Sequence, residues 1–288
     1  TNADYNNRGD SRTQYIATYQ VDGATNTLVN YQVFTNRSYD SSHQVLNQMV
    51  LTYADPGKLV TNYSDQSQLD KALLLDCKEI RSSGFTPSGV ASSQRVITYS
   101  DKAESSIIDV KVITNSNISS SGNVGASVIT TYSAAAISAD LSTITPLGNA
   151  VSVQTITSNI AADFDQYGNA MNQVVSSQYF DTAQNKLLFS SYQVITLNTY
   201  DIHNRLLTST VDNYSDTGTA FTSRELIANS NYDVYGNALN QTVNTYQSKT
   251  ATTANLVNSR VIVNSYTDPV TLVYNTVAAY FHHTVTST

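Results

Sequence analysis

Apolar and aromatic side chains recur at fixed distances from an aromatic residue that precedes an aspartate. With Tyr232 as position zero, position seven is Leu239, position eleven is Val243 and position fourteen is Tyr246. A spacing that returns along the chain is an internal repeat, and such a repeat decides the architecture before any single motif does. Two further units carry Leu, Val and Tyr at these positions: Leu46, Val50 and Tyr53, then Leu207, Val211 and Tyr214.

The repeat has a period of 32–36 residues over most of the chain. A shorter interval of 24 residues separates Tyr39 from Tyr63, so one unit near the N-terminus is predicted to be truncated. Each unit pairs two apolar segments through a polar connection. The predicted repeat starts are Tyr63, Tyr99, Tyr132, Phe164, Tyr200, Tyr232 and Tyr266.

The apolar segments are predicted to be β-strands. Positions seven, eleven and fourteen would also fit one face of a helix. However, the segments are rich in Val, Ile, Thr and Tyr, which favour strands, and in Asn and Ser, which compete with helical hydrogen bonds. Turn residues such as Gly236-Asn237 bound them at strand length. One short helix is predicted over 69–80, where the charged residues are concentrated.

These patterns predict an all-β fold of repeated antiparallel β-hairpins, forming an elongated sheet-rich or sandwich-like array. Residues 1–162 are expected to form an N-terminal β region with degenerate repeats. Residues 163–288 are expected to form a C-terminal β region with clear Tyr-Asp repeats, of which the last, from 266, is incomplete. An incomplete terminal repeat has either a capping role or an unpaired edge.

Each clear unit opens with a turn. Asp after the aromatic residue caps such a turn by accepting backbone N–H groups. Because the aspartates are repeated rather than unique, this role is favoured over catalysis, and a calcium ion held by turn carboxylates is the alternative. The predicted turn residues are Phe164, Asp165, Gly168, Asn169, Tyr200, Asp201, Tyr232, Asp233, Gly236 and Asn237.

The turn sequences resemble a known repeat. Tyr232-Asp233-x-x-Gly236-Asn237 and Phe164-Asp165-x-x-Gly168-Asn169 resemble the Tyr-Asp (YD) repeat of the Rhs and teneurin-like family. Tyr200-Asp201-Ile202-His203-Asn204-Arg205-Leu206 resembles the Arg-Leu variant of that motif. The resemblance covers three or four units, mostly within 164–250, and implies a surface or secreted β-repeat protein. Family members usually have a shorter period with more Gly and Arg, and a chain of this length is too short to enclose a cargo.

Composition narrows the classes of partner. Only 13% of the residues are charged and the net charge is −7, which argues against nucleic acid and against anionic membrane surfaces. No apolar run reaches the roughly 18–20 residues of a membrane-spanning helix. The single cysteine, Cys77, excludes an intrachain disulfide and is interpreted as a buried apolar residue. We therefore expect an extracellular or cell-surface protein.

Motifs for catalysis, cofactors and metals give no site. The sequence has no phosphate-binding loop, nucleophile elbow or zinc spacing, so we predict no enzyme, no cofactor and no metal centre. A polysaccharide-active enzyme is the catalytic alternative. Arg8-Gly9-Asp10, a tripeptide read by some adhesion receptors, is interpreted as a turn. Glycosylation is predicted at the Asn-x-Ser/Thr sites Asn36, Asn62, Asn117, Asn213 and Asn240.

The functional hypothesis is a structural subunit of an extracellular filament or cell-surface fibre. Unpaired strand edges and few charges favour a homopolymer that assembles end to end by β-strand pairing or donation. The predicted donor is residues 1–20 or 266–288. The alternative is a surface adhesin or carbohydrate-binding module, in which Tyr214 and Tyr246 would stack on sugars.

Overall fold

The protein is described from a computed structural model, which covers residues 1–22, 25–54, 60–62, 65–69, 71–140, 142–233, 236–264 and 283–287. Nearly all regular structure is β-strand, connected as successive antiparallel hairpins. The predicted fold class is confirmed. Two compact units divide the described residues. Unit one holds Thr1–Ile113 and Thr131–Asn149, and unit two holds Thr114–Thr130, 150–264 and 283–287.

Unit one is a sheet in which each strand pairs antiparallel with the next along the chain. A small separate hairpin, β9 with β10, belongs to the same unit. Two strands, β7 (Ile107–Ile118) and β8 (Val124–Tyr132), contribute residues to both units. The remaining elements are β1 (Asn2–Tyr5), β2 (Ser11–Asp22), β3 (Thr25–Tyr39), β4 (Val45–Ala54), α1 (Gln66–Leu69), β5 (Leu73–Phe85), β6 (Ala91–Tyr99), β9 (Ala134–Ile137) and β10 (Ile144–Leu147).

Unit two continues the same hairpin pattern, and its strands from β11 onward also pair in chain order. A short 3-10 turn, Thr253–Asn255, precedes β17. Its strands are β11 (Ser152–Thr157), β12 (Gln173–Asp181), β13 (Lys186–Tyr200), β14 (Leu206–Tyr214), β15 (Phe221–Tyr232), β16 (Ala238–Tyr246), β17 (Leu256–Asn264) and β18 (His283–Ser287).

The true repeat starts differ from part of the prediction. Tyr99 ends β6 and Tyr132 ends β8, just as Tyr53, Tyr214 and Tyr246 end or nearly end their strands. Both residues therefore occupy position fourteen of a unit, and the prediction that they begin units was wrong. Tyr63 and Tyr266 lie outside the described residues. The starts in the described chain are Tyr5, Tyr39, Phe85, Ile118, Phe164, Tyr200 and Tyr232.

Two insertions account for the error. Tyr39 and Phe85 are 46 residues apart, and so are Ile118 and Phe164, whereas the other intervals are 32–36. The first insertion follows β4 and contains α1, and the second follows β8 and contains the β9–β10 hairpin. The predicted helix over 69–80 was also wrong, because the segment Leu73–Phe85 is a strand. Its alternating burial and its Leu and Ile residues fit a pleated surface.

The core of unit one lies on one face of its sheet. Four cross-strand neighbours form a row there, with Val33 opposite Leu51, Leu51 opposite Cys77, and Cys77 opposite Tyr99. All four are at most 4% exposed. The cover comes from the two insertions, which contribute the fully or almost fully buried side chains Val60, Leu69 and Ile144. The insertions that disturb the repeat spacing thus complete the core.

Unit two buries fewer large apolar side chains. In its described residues the buried apolar side chains are Val211, Tyr214 and Val243, at positions eleven and fourteen of their units. Its strands instead carry partly buried Thr, Ser and Asn on both faces. Among the described residues, no helix has the length and apolar character needed to cross a membrane.

Candidate functional site

Seven five-residue turns in the described chain share one backbone geometry. The N–H of the first residue donates to the carbonyl of the fifth, and the N–H of the fourth donates to the carbonyl of the first, at 2.8–3.3 Å. The fourth residue has a positive φ in every turn, which favours Gly and tolerates Asn. The turns span residues 6–10, 40–44, 86–90, 119–123, 165–169, 201–205 and 233–237.

The first residue of each turn has a side-chain oxygen that closes the turn a second time. Asp165 Oδ1 accepts the N–H of Asn169 at 2.9 Å, and Asp201 Oδ1 accepts that of Arg205 at 3.0 Å. The same bond is made by Asn6, Asp40, Thr86, Ser119 and Asp233. The predicted role of the aspartates, capping of a turn, is therefore present in the structure. At Asn6, Thr86 and Ser119 an amide or hydroxyl oxygen takes the same role.

Hydrogen bonding lowers the pKa of turn carboxylates. The side chain of Asn169, followed by the backbone N–H groups of the turn, holds the pKa of Asp165 below its usual value. Partial burial of Asp201 opposes such a shift, but the bonds from Arg205 outweigh it, and its pKa is lowered too. These carboxylates are ionised acceptors at neutral pH, and protein N–H groups occupy their oxygens.

Where position zero is Tyr39, Tyr200 or Tyr232, the tyrosine bonds its repeat to the preceding one. The Tyr39 hydroxyl donates to the carbonyl of Ser11 at 2.5 Å, and that of Tyr200 donates to the carbonyl of Ala170 at 2.8 Å. Tyr232 makes the same bond to Leu206. The acceptor is always six residues after the preceding start. At these three positions the aromatic residue therefore contributes a hydroxyl hydrogen bond as well as its ring.

An asparagine two or three residues before the next start reinforces this contact. The side-chain amides of Asn198 and Asn229 donate to the carbonyls of Ala170 and Leu206, at 3.1 and 3.0 Å. Asn264 donates in the same way to Ala238, at 2.8 Å. Each acceptor carbonyl is therefore part of a recurrent unit-to-unit bond. The asparagines were not predicted as site residues, although their offset from Tyr200, Tyr232 and Tyr266 is visible in the sequence.

In each of the two compact units, the turns of two successive repeats contact one another. In unit two, Asn169 Nδ2 donates to Asn204 Oδ1 at 2.9 Å. In unit one, Arg8 Nη2 donates to the Ser41 carbonyl at 3.2 Å, and His43 Nδ1 bonds to Asp10 Oδ1. The Asp10 carboxylate is buried and also accepts from Asn6. The Arg8-Gly9-Asp10 tripeptide is therefore part of a turn, with its carboxylate bound inside the protein.

Three of the seven turns were not predicted as turns of the repeat, although Arg8-Gly9-Asp10 in the first of them was interpreted as a turn. They open with Tyr5-Asn6, Phe85-Thr86 and Ile118-Ser119, and each has Gly as the fourth turn residue. The signal was an apolar or aromatic residue, then Asn, Ser or Thr, then Gly three residues later. The Tyr-Asp pattern does not cover these turns, because the hydroxyl of Ser or Thr and the amide oxygen of Asn accept the same N–H as the Asp carboxylate does.

No known protein family model matches the chain, and no curated protein matches it. The likeness to Tyr-Asp repeats therefore stays a resemblance, carried by the turn residues alone.

The predicted glycosylation sites differ in their surroundings. Asn36, Asn62 and Asn117 are exposed, and Asn36 and Asn117 are left-handed residues near the end of a strand. Asn213 Nδ2, the atom that would carry a glycan, donates to Ser223 Oγ at 3.3 Å. Asn240 is partly buried in β16. Asn36 Nδ2 is engaged too, since it donates to Met49 Sδ at 3.8 Å. Modification at all five sites stays a prediction, and the exposed positions Asn62 and Asn117 fit it better.

The remaining candidates are the side chain of Tyr214, the thiol of Cys77 and possible metal-binding clusters. Tyr214 is 9% exposed and packs edge-on against Tyr192 and Phe221, so it cannot stack on a sugar as the adhesin hypothesis required. Burial raises the pKa of the Cys77 thiol to about 12. Among the described residues, no group of three His, Cys, Asp or Glu side chains is placed to hold a metal ion.

Proposed function

We propose that this chain is a structural subunit of an extracellular filament or cell-surface fibre, in which copies join by β-strand addition. The observation that supports the proposal is a stretch of strand edge in unit one, called the open stretch, that has no partner strand among the described residues. The β1 strand pairs with Ser11–Gln14 of β2, and Thr1 bonds to Tyr15. Beyond Tyr15, the β2 strand has a described hydrogen-bonded neighbour on its β3 side alone.

The open stretch has the chemistry of an acceptor edge. The Tyr15 N–H and carbonyl face β1. Because backbone groups alternate along a strand, those of Ala17 face the same, open side. The stretch 16–22 reads Ile-Ala-Thr-Tyr-Gln-Val-Asp, with no proline and one charge. Natural proteins protect edges with lysine, proline or bulges. This stretch has no lysine or proline, and its register shift against β3 lies between Thr18 and Tyr19, so Ile16 and Ala17 before it form a regular edge that favours pairing with another strand.

The repeated contacts supply a reason why such pairing could extend. Tyrosine hydroxyls and asparagine amides bond successive units at equivalent carbonyls, and Asn264 already makes this bond at the last described unit. Equivalent contacts between copies would be heterologous, and heterologous contacts grow into a filament unless rotation closes a ring. The low charge and the abundance of Ser, Thr and Asn are consistent with an extracellular location.

Electron microscopy of negatively stained protein tests the proposal. The full chain is expected to form filaments, and a variant without residues 266–288, one of the two predicted donor segments, is expected to shorten or abolish them. Ala17→Pro removes the outward N–H of the edge without removing a bond to β3, so it should suppress filaments. Ala17→Val keeps that N–H and is the matched control.

A second blocking variant, Tyr19→Lys, places a charge on the open stretch and should also suppress assembly. Circular dichroism would establish that each variant keeps its β content. Dispersed full-length particles at all concentrations, or filaments from Ala17→Pro as abundant as those from Ala17→Val, would contradict strand addition at this edge.

A further inference from the structure

A cavity of about 430 Å³ opens on the core face of unit one, four residues along β4, β5 and β6 from the buried apolar row and five residues along β3. Its floor is a second cross-strand row, in which Ser38 is opposite Asn47, Asn47 is opposite Arg81, and Arg81 is opposite Arg95. The second insertion forms a wall through Ser142 and Thr143. The floor therefore combines four strands with polar side chains that point to one space.

Two arginines directly opposite one another are unfavourable without compensation, because like charges on neighbouring strands repel. Arg81 is compensated by Glu79, whose Oε2 lies 2.5 Å from the Arg81 guanidinium, and both side chains are buried. Arg95 Nη1 donates to the Ile144 carbonyl at 2.7 Å. Among the described residues no carboxylate lies within ion-pair distance of Arg95. Among the residues that line the cavity, the charged side chains are Arg81 and Arg95, and Arg95 is the one that is not paired with Glu79.

The rest of the lining is rich in hydroxyl groups, which come from Ser38, Ser82, Ser83, Ser93, Ser142 and Thr143. Hydroxyls both donate and accept, so they suit a ligand that carries hydroxyls of its own. A guanidinium binds a carboxylate through two parallel N–H bonds. The cavity volume is at the lower end of the range of small-molecule sites.

We propose that this pocket binds a carboxylate-bearing sugar residue, with Arg95 as the partner of the carboxylate and the serine and threonine hydroxyls as partners of the ring hydroxyls. The inference is independent of strand addition, and it gives the carbohydrate-binding alternative a specific site. Arg81 contributes charge and holds the floor in place. Its removal would leave Glu79 buried without a partner, so it is unsuitable as a test position.

Calorimetric titration of the full chain with D-glucuronic acid at pH 7 tests the proposal, with D-glucose as the neutral counterpart. Glucuronate is expected to bind and glucose to bind at least about tenfold more weakly, since a charge-assisted bidentate contact is lost. Arg95→Gln should weaken glucuronate binding by about tenfold or more. Arg12→Gln removes the same charge from an exposed position on β2 and should leave the affinity unchanged.

Ser93→Leu is the second variant, because it fills the cavity while Arg95 is retained. It should abolish glucuronate binding and keep the melting temperature close to that of the parent chain. Sulfate is titrated in parallel to separate a sugar site from a simple anion site. Equal affinity for sulfate and glucuronate, equal affinity for glucose and glucuronate, or unchanged binding by Arg95→Gln would each overturn the proposal. Filament formation is measured separately, so failure of one proposal is distinguishable from failure of the other.

Discussion

Tyrosine at the start of a repeat combines two interactions in one side chain. The ring packs at the end of a strand, and the hydroxyl donates to a carbonyl of the preceding unit. In the Arg-Leu variant, Arg205 also lies over the ring of Tyr232, with 4.6 Å between the guanidinium carbon and the ring centroid. A phenylalanine could supply the packing but not the hydrogen bond. This explains why Phe164 and Phe85 do not make the hydroxyl contact of Tyr39, Tyr200 and Tyr232.

Tyr200→Phe tests the value of the hydroxyl. The variant keeps the ring but removes the hydroxyl that donates to the Ala170 carbonyl. That carbonyl then keeps one side-chain donor, the amide of Asn198. We expect the free energy of unfolding to fall by about 0.5–1.5 kcal/mol, the usual contribution of one hydrogen bond. Chemical denaturation monitored by circular dichroism measures it. Tyr167→Phe, at a 73% exposed position in the neighbouring turn, is the control and should change little.

The turn is the element that makes the repeat tolerant of sequence change. Its first residue must carry a side-chain acceptor, and its fourth must adopt a positive φ. Asp, Asn, Ser and Thr meet the first need. Gly meets the second in five turns, with φ of 82–92°, while His43 and Asn204 meet it at 64° and 59°. The second and third residues are free to vary, which is why Asn7-Arg8 and Pro87-Ser88 both fit.

Substitutions at Gly236 separate backbone strain from packing. A Cβ built at Gly236 meets no atom of the described residues within 4 Å, so we expect a substitution there to act through its φ of +85°. Gly236→Ala should lower the free energy of unfolding by about 1–2 kcal/mol, the cost of a left-handed alanine. Gly236→Asn should recover part of the loss, because Asn204 already occupies the equivalent position.

The same denaturation experiment measures both Gly236 variants. Equal destabilisation by Ala and Asn would contradict the strain explanation and indicate that the turn tip needs the absence of a side chain. No effect of either variant would mean that this turn contributes little to the stability of β15 and β16.

At the scale of the whole molecule, turn carboxylates link the stability of both units to pH. Bonds from Ser138 and Ser142 lower the pKa of Asp140 in unit one to about 2. In unit two, the N–H of Ala220 and the hydroxyl of Thr219 lower that of Asp216 to about 2. A carboxylate with a depressed pKa in the folded state stabilises the fold above its unfolded pKa, here 3.8. That contribution is lost as pH falls toward the folded value.

We therefore expect the urea midpoint to be nearly constant between pH 7 and about 5, and to fall between about pH 4 and 2. Asp140→Asn combined with Asp216→Asn removes both titrating groups, so its midpoint should decline less steeply over the acid range. Midpoints from circular dichroism at each pH measure this. A parallel decline in parent and double variant would mean that other carboxylates control acid stability.

Local chemistry in the sequence was sufficient for the fold class. Alternating Val, Ile, Thr and Tyr, bounded by Asp, Asn and Gly, specifies antiparallel hairpins, because both strand pleating and turn conformation are set by neighbouring residues. The turn role of Asp165, Asp201 and Asp233 followed from the same reasoning. The assignment of Tyr99 and Tyr132 as repeat starts was wrong, because counting residues from one start to the next assumes that nothing is inserted between them.

Only the tertiary structure decided the contacts between distant segments. The sequence places Asn47, Arg81 and Arg95 far apart, and their common row depends on the register of β4, β5 and β6. Ile144 reaches the core of unit one, and its carbonyl reaches Arg95, from 49 residues away along the chain. Such pairings follow from the packing of inserted segments onto a sheet face. Period and composition determine the hairpins, whereas the long-range register determines the core and the pocket.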